Sequence, residues 1–374
     1  MKDSDLMSEI FTIAKQRGTN NCVTRQLCET TVELDKMDRP ENITTEPIRA
    51  SAAGSCYGCN KTTLLFHGNY VYSCVKCGTK FQENRYIYTS QEGKVAVVTG
   101  GRTKLGHQVC LKLLRAGAVV FATTRFPDKA RDIYTAYPDY SKWENNLHLY
   151  ALDMDVPNLA EEFNKLATFI SGWTTNPKVD ILVNCAAQTI RCREKKGLDS
   201  SSIETNRYAD DKFVKSDQTI INSWNMLLPD LVQSEMEELF RINAIAPVLL
   251  TQALLFLLKQ SEGAYIINVH AKEGLINAHK TAKHMHTNMA KVAMAMFTRV
   301  LPEHSYVSDI NRNPFSIHGC DPGWISIDEY ELNGSPWITA PLDEVDGAAR
   351  VLFPLWKMRS TNYKTRRHFT EFST

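Results

Sequence analysis

The sequence predicts an α/β protein in which a doubly wound parallel sheet follows a small cysteine-bearing module. Three observations lead there. From Lys94 onward, apolar strands alternate with amphipathic helices; the first of these strands runs straight into a glycine-bearing turn and a helix; and two C-x-x-C pairs stand ahead of them. Strand-helix alternation of this length implies a sheet covered by helices on both faces, with ligands at the carboxyl ends of its strands.

The elements follow from periodicity. Residues 94–99 (KVAVVT) read as a buried strand, and 105–116 as a helix with Leu105, Val109, Leu113 and Leu114 at helical spacing. Further strands are expected at 118–124, 147–152, 179–184, 264–269 and 315–319, and long apolar helices at 235–258 and 289–301. Residues 1–50 form a mixed extension with a helix expected at 6–15 and a turn at 38–42. The module occupies 51–93 and the sheet domain 94–358. A basic tail at 359–374 reads as a solvated end, with binding of an anionic partner the weaker option.

Composition narrows the function. The 374 residues carry 43 Lys+Arg against 42 Asp+Glu, a net charge of +1. That balance argues against a chain built as a whole to track nucleic acid or an anionic membrane, and leaves a small molecule or a protein as the default partner. No apolar run reaches the length of a membrane span, and the opening Met1-Lys2-Asp3-Ser4-Asp5 lacks an apolar leader. A soluble, unsecreted, cytoplasmic protein is expected.

Cys56-Tyr57-Gly58-Cys59 and Cys74-Val75-Lys76-Cys77 stand with fourteen residues between them. Doubled C-x-x-C at this separation is the pattern of a four-thiolate zinc ribbon, closed and therefore structural. Gly58 and Gly78 suit the two knuckles, and residues 62–73 read as the hairpin between them, with His67 at its exposed tip. Buried thiols or disulfides are the alternative. Cys22, Cys28, Cys110, Cys185, Cys192 and Cys320 follow no such pattern.

The first strand leads into Thr99-Gly100-Gly101-Arg102-Thr103-Lys104-Leu105-Gly106. This resembles the T-G-x-x-x-G-x-G turn of the short-chain dehydrogenase/reductase family, with Lys104 in place of the middle glycine. Asn184-Cys185-Ala186-Ala187 resembles the family's N-N-A-G segment, Asp153 falls where its adenine-contacting Asp lies, and Asp321-Pro322-Gly323-Trp324 resembles its P-G turn. The resemblance implies a Rossmann sheet over residues 94–358 and a dinucleotide held by Gly100, Arg102, Lys104, Leu105, Gly106, Arg125, Asp153, Asn184, Lys291, Pro322 and Gly323. Thr123-Thr124-Arg125 puts hydroxyls and a guanidinium where a NAD-preferring site places an acid, so NADP is favoured over NAD.

The same resemblance exposes a departure. Family members carry a Tyr-x-x-x-Lys pair and a serine. Aligned on Lys291, the tyrosine position holds Thr287 and the serine position Ala271, while Lys291 and Asn243 keep the family's identities. Either the site is rewired, with His286 or His270 supplying the proton, or the chain is a pseudoenzyme that keeps a nucleotide pocket for sensing or protein interaction. The runs 101–106, 122–127 and 286–291 also resemble a divergent branch of the family with an N-terminal cysteine-paired segment. Asn184 and Asn243 stand far apart for the family, so residues 191–234 read as an insertion that either covers the pocket, contacts a partner or is a solvated surface excursion. Residues 325–341 would be the substrate-side loop, with Trp324 and Trp337 as apolar walls. In the family, helices such as 235–258 often form dimer or tetramer interfaces, so the resemblance implies a homo-oligomer, while the apolar content of 247–258 fits burial inside the monomer equally.

Overall fold

The computed structural model describes residues 46–188, 192–194, 220–222, 226–303, 315–325, 340–358 and 367–370. The helix expected at 6–15, Cys22, Cys28 and Trp337 lie outside them. The described residues gather into two compact units, one drawn from 46–87, 322–325 and 340–353, the other from the rest.

In the smaller unit, β1 (Ile48–Ser55) and β2 (Thr62–Phe66) pair antiparallel, with an irregularity between Arg49 and Gly54. Ile48, Ala50, Phe66 and Val71 form its core. The hairpin expected within 62–73 is replaced by this upstream pairing, because β1 supplies the alternating apolar face that β2 needs. Only Phe66 and Cys74 form a bridge across the 67–73 reversal, which is closed by the His67 N–H on the Ser73 carbonyl at 2.9 Å. His67 is also not an exposed tip residue. It is buried over Gly78, where a Cβ would lie 2.3 Å from the His67 Cβ, and its Nδ1 accepts the Asn69 N–H at 3.1 Å. Helix α1 (Val75–Arg85) ends on a buried ion cluster in which Arg85 Nη1 lies 2.8 Å from Asp343 and 2.9 Å from Asp346. The Tyr70 hydroxyl donates to Asp346 at 2.7 Å.

The larger unit is built on a seven-stranded sheet of order β11-β10-β9-β6-β3-β4-β5, parallel throughout. Its strands are β3 (Val95–Thr99), β4 (Val119–Thr124), β5 (Leu147–Ala151), β6 (Ile181–Asn184), β9 (Tyr265–Val269), β10 (Ser316–Asp321) and β11 (Arg367–Thr370). β3, β6 and β9 are buried along their whole length, as expected of parallel strands covered on both faces. Helices α2 (Lys104–Arg115), α3 (Pro127–Thr135), α4 (Leu159–Trp173) and α8 (Met285–Val300) connect them. Between β6 and β9, α5 (Gln233–Phe240), a π-helical turn (Arg241–Ile245), α6 (Ala246–Ala253) and α7 (Leu255–Leu258) follow one another. β7 (Cys192–Glu194) and β8 (Ile220–Asn222) form a separate antiparallel pair inside the insertion. Helix α9 (Glu344–Met358) precedes β11. The tail expected to be a solvated end therefore carries a strand; its residues 367–370 take the place beside β10.

Asp180 locks the amino-terminal edge of the sheet. Fully buried, it accepts the Val95 N–H at 2.9 Å and the Ser261 hydroxyl at 2.7 Å, with Lys94 and Lys178 at 3.4 and 3.3 Å. Burial pushes its pKa up, but these donors and cations outweigh burial and hold it below the usual carboxylate range. At the opposite edge the strand order reverses between β3 and β6, the switch point at whose carboxyl ends sheets of this kind have their ligand crevice.

Candidate cofactor and catalytic site

Thr99, the last residue of β3, ties the two lips of that crevice together: its hydroxyl accepts the N–H groups of Cys185 and Ala186, each at 2.9 Å. The chain then turns through Gly100 at φ +74°, where a Cβ would stand 3.0 Å from the Ala186 Cα. Gly106 is held tighter still, since a Cβ there would fall 2.2 Å from the Gly100 carbonyl oxygen. Gly101 donates to the Thr123 carbonyl at 2.9 Å, and its own carbonyl accepts the buried Tyr134 hydroxyl at 2.6 Å. Lys104 keeps the left-handed backbone, φ +55°, that the absent glycine would adopt without strain. Helix α2 starts there with no acid in its first turn and no side-chain cap from Thr103, so its first N–H groups and dipole face the crevice edge as an anion site would need. Leu105, in that first turn, is half-buried.

At the end of β4 the cations are gathered about one ring. The guanidinium carbons of Arg102 and Arg125 lie 5.2 and 5.4 Å from the centre of the Phe126 ring, and Lys129 Nζ lies 5.2 Å from it. Sequence reading singled out Arg102 and Arg125 but missed Phe126 and Lys129. The available signal was spacing, since Lys129 follows Phe126 by three residues across the start of α3. Asp153, just beyond β5, accepts the N–H of Asp155 at 2.9 Å, and Asp155 pairs with Arg241.

Deeper in the crevice, Asn184 is committed to the interior. Its Nδ2 donates to Asn268 at 2.7 Å, Asn268 donates to the Thr298 hydroxyl at 2.9 Å, and His270 Nε2 lies 3.0 Å from that same hydroxyl. This chain laces β6, β9 and α8 together and engages one ring nitrogen of His270. Asn243 sits in the π-helical turn, a distortion that often marks functional positions, and exchanges two bonds with the Gln188 backbone, at 2.7 and 2.8 Å.

On α8, Thr287 and Lys291 stand one turn apart on the buried face. Lys291 Nζ donates to the Val269 carbonyl at 3.0 Å. Burial pulls its pKa down, opposed by Cys185, Glu273 and Asp321. The Thr287 hydroxyl and His286 Nδ1 are both buried and have no hydrogen-bond partner among the described residues. Burial, with a smaller contribution from His284, lowers the His286 pKa. Pro322 and Gly323, expected at the cofactor, belong to the smaller unit, with Gly323 at φ +83°.

In that unit the sulfurs of Cys56, Cys59, Cys74 and Cys77 all lie within 4.8 Å of one another. Cys74 caps α1 and gives its N–H to Cys56 Sγ at 3.2 Å. A tetrahedron of Zn–S bonds of about 2.3 Å spaces its sulfurs by roughly 3.8 Å, so the four thiols fit a zinc ion with only a small contraction.

Residues 94–207 match the family model of the short chain dehydrogenases. Across 358 residues the chain is 33% identical to an uncharacterised protein of Acanthamoeba polyphaga mimivirus, covering 86% of this chain and 77% of the relative. Over residues 94–207 the chain is thus similar to the short chain dehydrogenases. Salutaridine reductase of Papaver bracteatum is 27% identical over 192 residues, 48% of this chain and 55% of that enzyme. The fold is also that of a protein from Escherichia coli CFT073 described as a short chain dehydrogenase and solved with NADPH, at a TM-score of 0.54 and 16% identity over 74% of this chain and 96% of that one. Among the described residues, no helix is long and apolar enough to cross a membrane.

Proposed function

We propose that this protein is an NADP-dependent oxidoreductase acting on a carbonyl or alcohol through a site that lacks the family's usual serine and tyrosine. The observation that carries the reading is the cationic cluster of Arg102, Arg125 and Lys129 about Phe126 at the end of β4. An acid at this place would accept from a ribose 2′-hydroxyl; three cations suit a 2′-phosphate. The left-handed turn at Gly100 and Lys104 leaves the start of α2 for the pyrophosphate, and the NADPH bound by the Escherichia coli structure accords with this choice.

When bound, NADPH supplies a hydride to a carbonyl carbon, and the carbonyl oxygen then takes up a proton. Lys291 holds the reducing end by its position on the Val269 carbonyl. The buried Thr287 hydroxyl, one turn away and unpaired among the described residues, is set to orient the substrate oxygen. Threonine is too weak an acid and too short to replace tyrosine as the donor. Of the two histidines, His286 is favoured over His270 as the donor, giving a proton from its imidazolium form and being left as neutral imidazole, because His270 is engaged with Thr298 whereas His286 Nδ1 has no partner among the described residues. The four cysteines hold a structural zinc ion. The pseudoenzyme reading keeps the same pocket but no hydride transfer.

Hydride transfer from NADPH across a carbonyl panel, compared between wild type, Lys291→Ala, His286→Ala and His270→Ala, tests the assignment. Turnover lost in the first two and kept in the third supports it. Turnover kept in Lys291→Ala contradicts it.

A further inference from the structure

The first cysteine knuckle does more than close on a metal. Tyr57, the residue after Cys56, reaches out of the knuckle, and its hydroxyl oxygen accepts the Trp324 N–H at 2.8 Å. Trp324 follows Pro322 and Gly323, which leave the carboxyl end of β10 by covalent continuity. Gly323 stands at φ +83°, where a Cβ would lie 2.9 Å from the Tyr57 oxygen, 2.6 Å from Arg350 Nη1 and 2.8 Å from Leu342. The second knuckle reaches the same place by another route. Cys74 and Cys77 open α1, Phe81 on α1 lies under the Arg350 guanidinium at 4.8 Å, and Arg85 at its end holds Asp343 and Asp346. Phe81 is also what a Cβ on Gly58 would meet, at 2.9 Å, so the first knuckle packs against a ring on the helix that the second knuckle opens.

We infer that Tyr57 is a positioning residue for the Pro322–Gly323–Trp324 turn, and that a metal ion in the four-cysteine cluster sets the order of that turn. This rests on the zinc assignment proposed above. Without its ion the knuckle keeps only its backbone bonds, such as the Tyr57 N–H on the Tyr72 carbonyl and the Asn60 N–H on the Cys56 carbonyl, each at 2.8 Å, so Tyr57 is held less firmly. The oxygen acceptor of the turn is then looser, and Gly323 is left in a backbone region that only glycine holds without strain.

The experiment is hydrogen exchange of the full chain, read at residues 322–325, on zinc-loaded wild type, chelator-stripped wild type, Tyr57→Phe and Gly323→Ala. Zinc content and NADPH affinity are measured on the same samples. Tyr57→Phe keeps the ring and removes only the acceptor oxygen, so zinc should stay at about one per chain, while exchange of the Trp324 amide rises at least tenfold. Stripped wild type and Gly323→Ala should show the same rise, the latter with its zinc retained. Unchanged exchange in both Tyr57→Phe and the stripped protein overturns the inference, as does a wild-type protein that takes up no zinc. Failure of wild type to bind NADPH instead overturns the oxidoreductase reading and leaves the exchange result to decide this one.

Discussion

Replacing Lys104 by glycine should separate the stability of the nucleotide turn from its charge. Lys104 holds φ +55°, and a side-chain-bearing residue in that region costs roughly 1–2 kcal/mol relative to its ordinary conformations. Glycine removes this strain, while its greater freedom in the unfolded chain returns about 0.5–1 kcal/mol at most, since the position is the first residue of α2. The net effect on Lys104→Gly is therefore zero to about 1.5 kcal/mol of stabilisation, or up to a few degrees in Tm for a domain of this size. Lys104→Ala keeps the Cβ and hence the strain, so it should gain nothing. Both variants lose the same cation beside the proposed pyrophosphate site and should bind NADPH less tightly by the same factor. Thermal denaturation and calorimetric titration of the three proteins read the two effects separately. A Lys104→Gly protein less stable than Lys104→Ala would refute the left-handed assignment, and NADPH affinities that differ between the variants would refute a purely electrostatic role for the side chain.

Other expectations follow from the same geometry. Gly106→Ala forces a methyl to 2.2 Å from the Gly100 carbonyl oxygen, so α2 must shift away from the turn; a loss of about 1–3 kcal/mol in denaturant unfolding and no measurable NADPH binding are expected. Arg125→Ala and Lys129→Ala should each reduce NADPH affinity about tenfold or more and leave NADH affinity unchanged, because a charge-assisted bond to a phosphate contributes roughly 1.5–3 kcal/mol; equal losses for both cofactors would place these cations elsewhere. His107 is buried, and burial, with the nearby Arg115 charge, lowers its pKa from 6.5 to about 4. The unfolded chain thus binds the extra proton first, so stability should fall as pH drops from about 6.5 toward 4 and fall further below that as the depressed carboxylate of Asp180 is protonated. Burial lowers the pKa of His67 to about 4 as well, so His107→Phe should reduce the first of these steps in pH-dependent urea unfolding without abolishing it; an undiminished step would assign it to the other buried histidines.

Much of the fold was legible because parallel strands buried on both faces leave uninterrupted apolar runs. The strands expected at 94–99, 118–124, 147–152, 179–184, 264–269 and 315–319 all occur, shifted by at most two residues at either end. What was not legible depended on tertiary partners. β11 lies in a basic, weakly apolar segment, and only pairing with β10 makes it a strand. β2 alternates too weakly to show which neighbour it pairs with, so the hairpin register was missed and His67 was placed on the surface. In the site, Lys104 could be read as an exception to a glycine pattern, but that it keeps the glycine's backbone could not. Asn184 and His270 looked like ligand-facing groups; their mutual link through Asn268 and Thr298 needs three elements brought together. The association of residues 340–353 with the cysteine module likewise rests on Arg85, Asp343 and Asp346, ion partners more than 250 positions apart that no local pattern pairs.

The central claim is that the crevice at the carboxyl ends of β3 and β6 holds NADP. Calorimetric titration of the zinc-replete protein with NADPH and with NADH tests it most directly. The account predicts saturable binding of NADPH with one site per chain, tighter than NADH, and a preference that collapses in Arg125→Ala. Binding of neither nucleotide, or a preference for NADH, would contradict it.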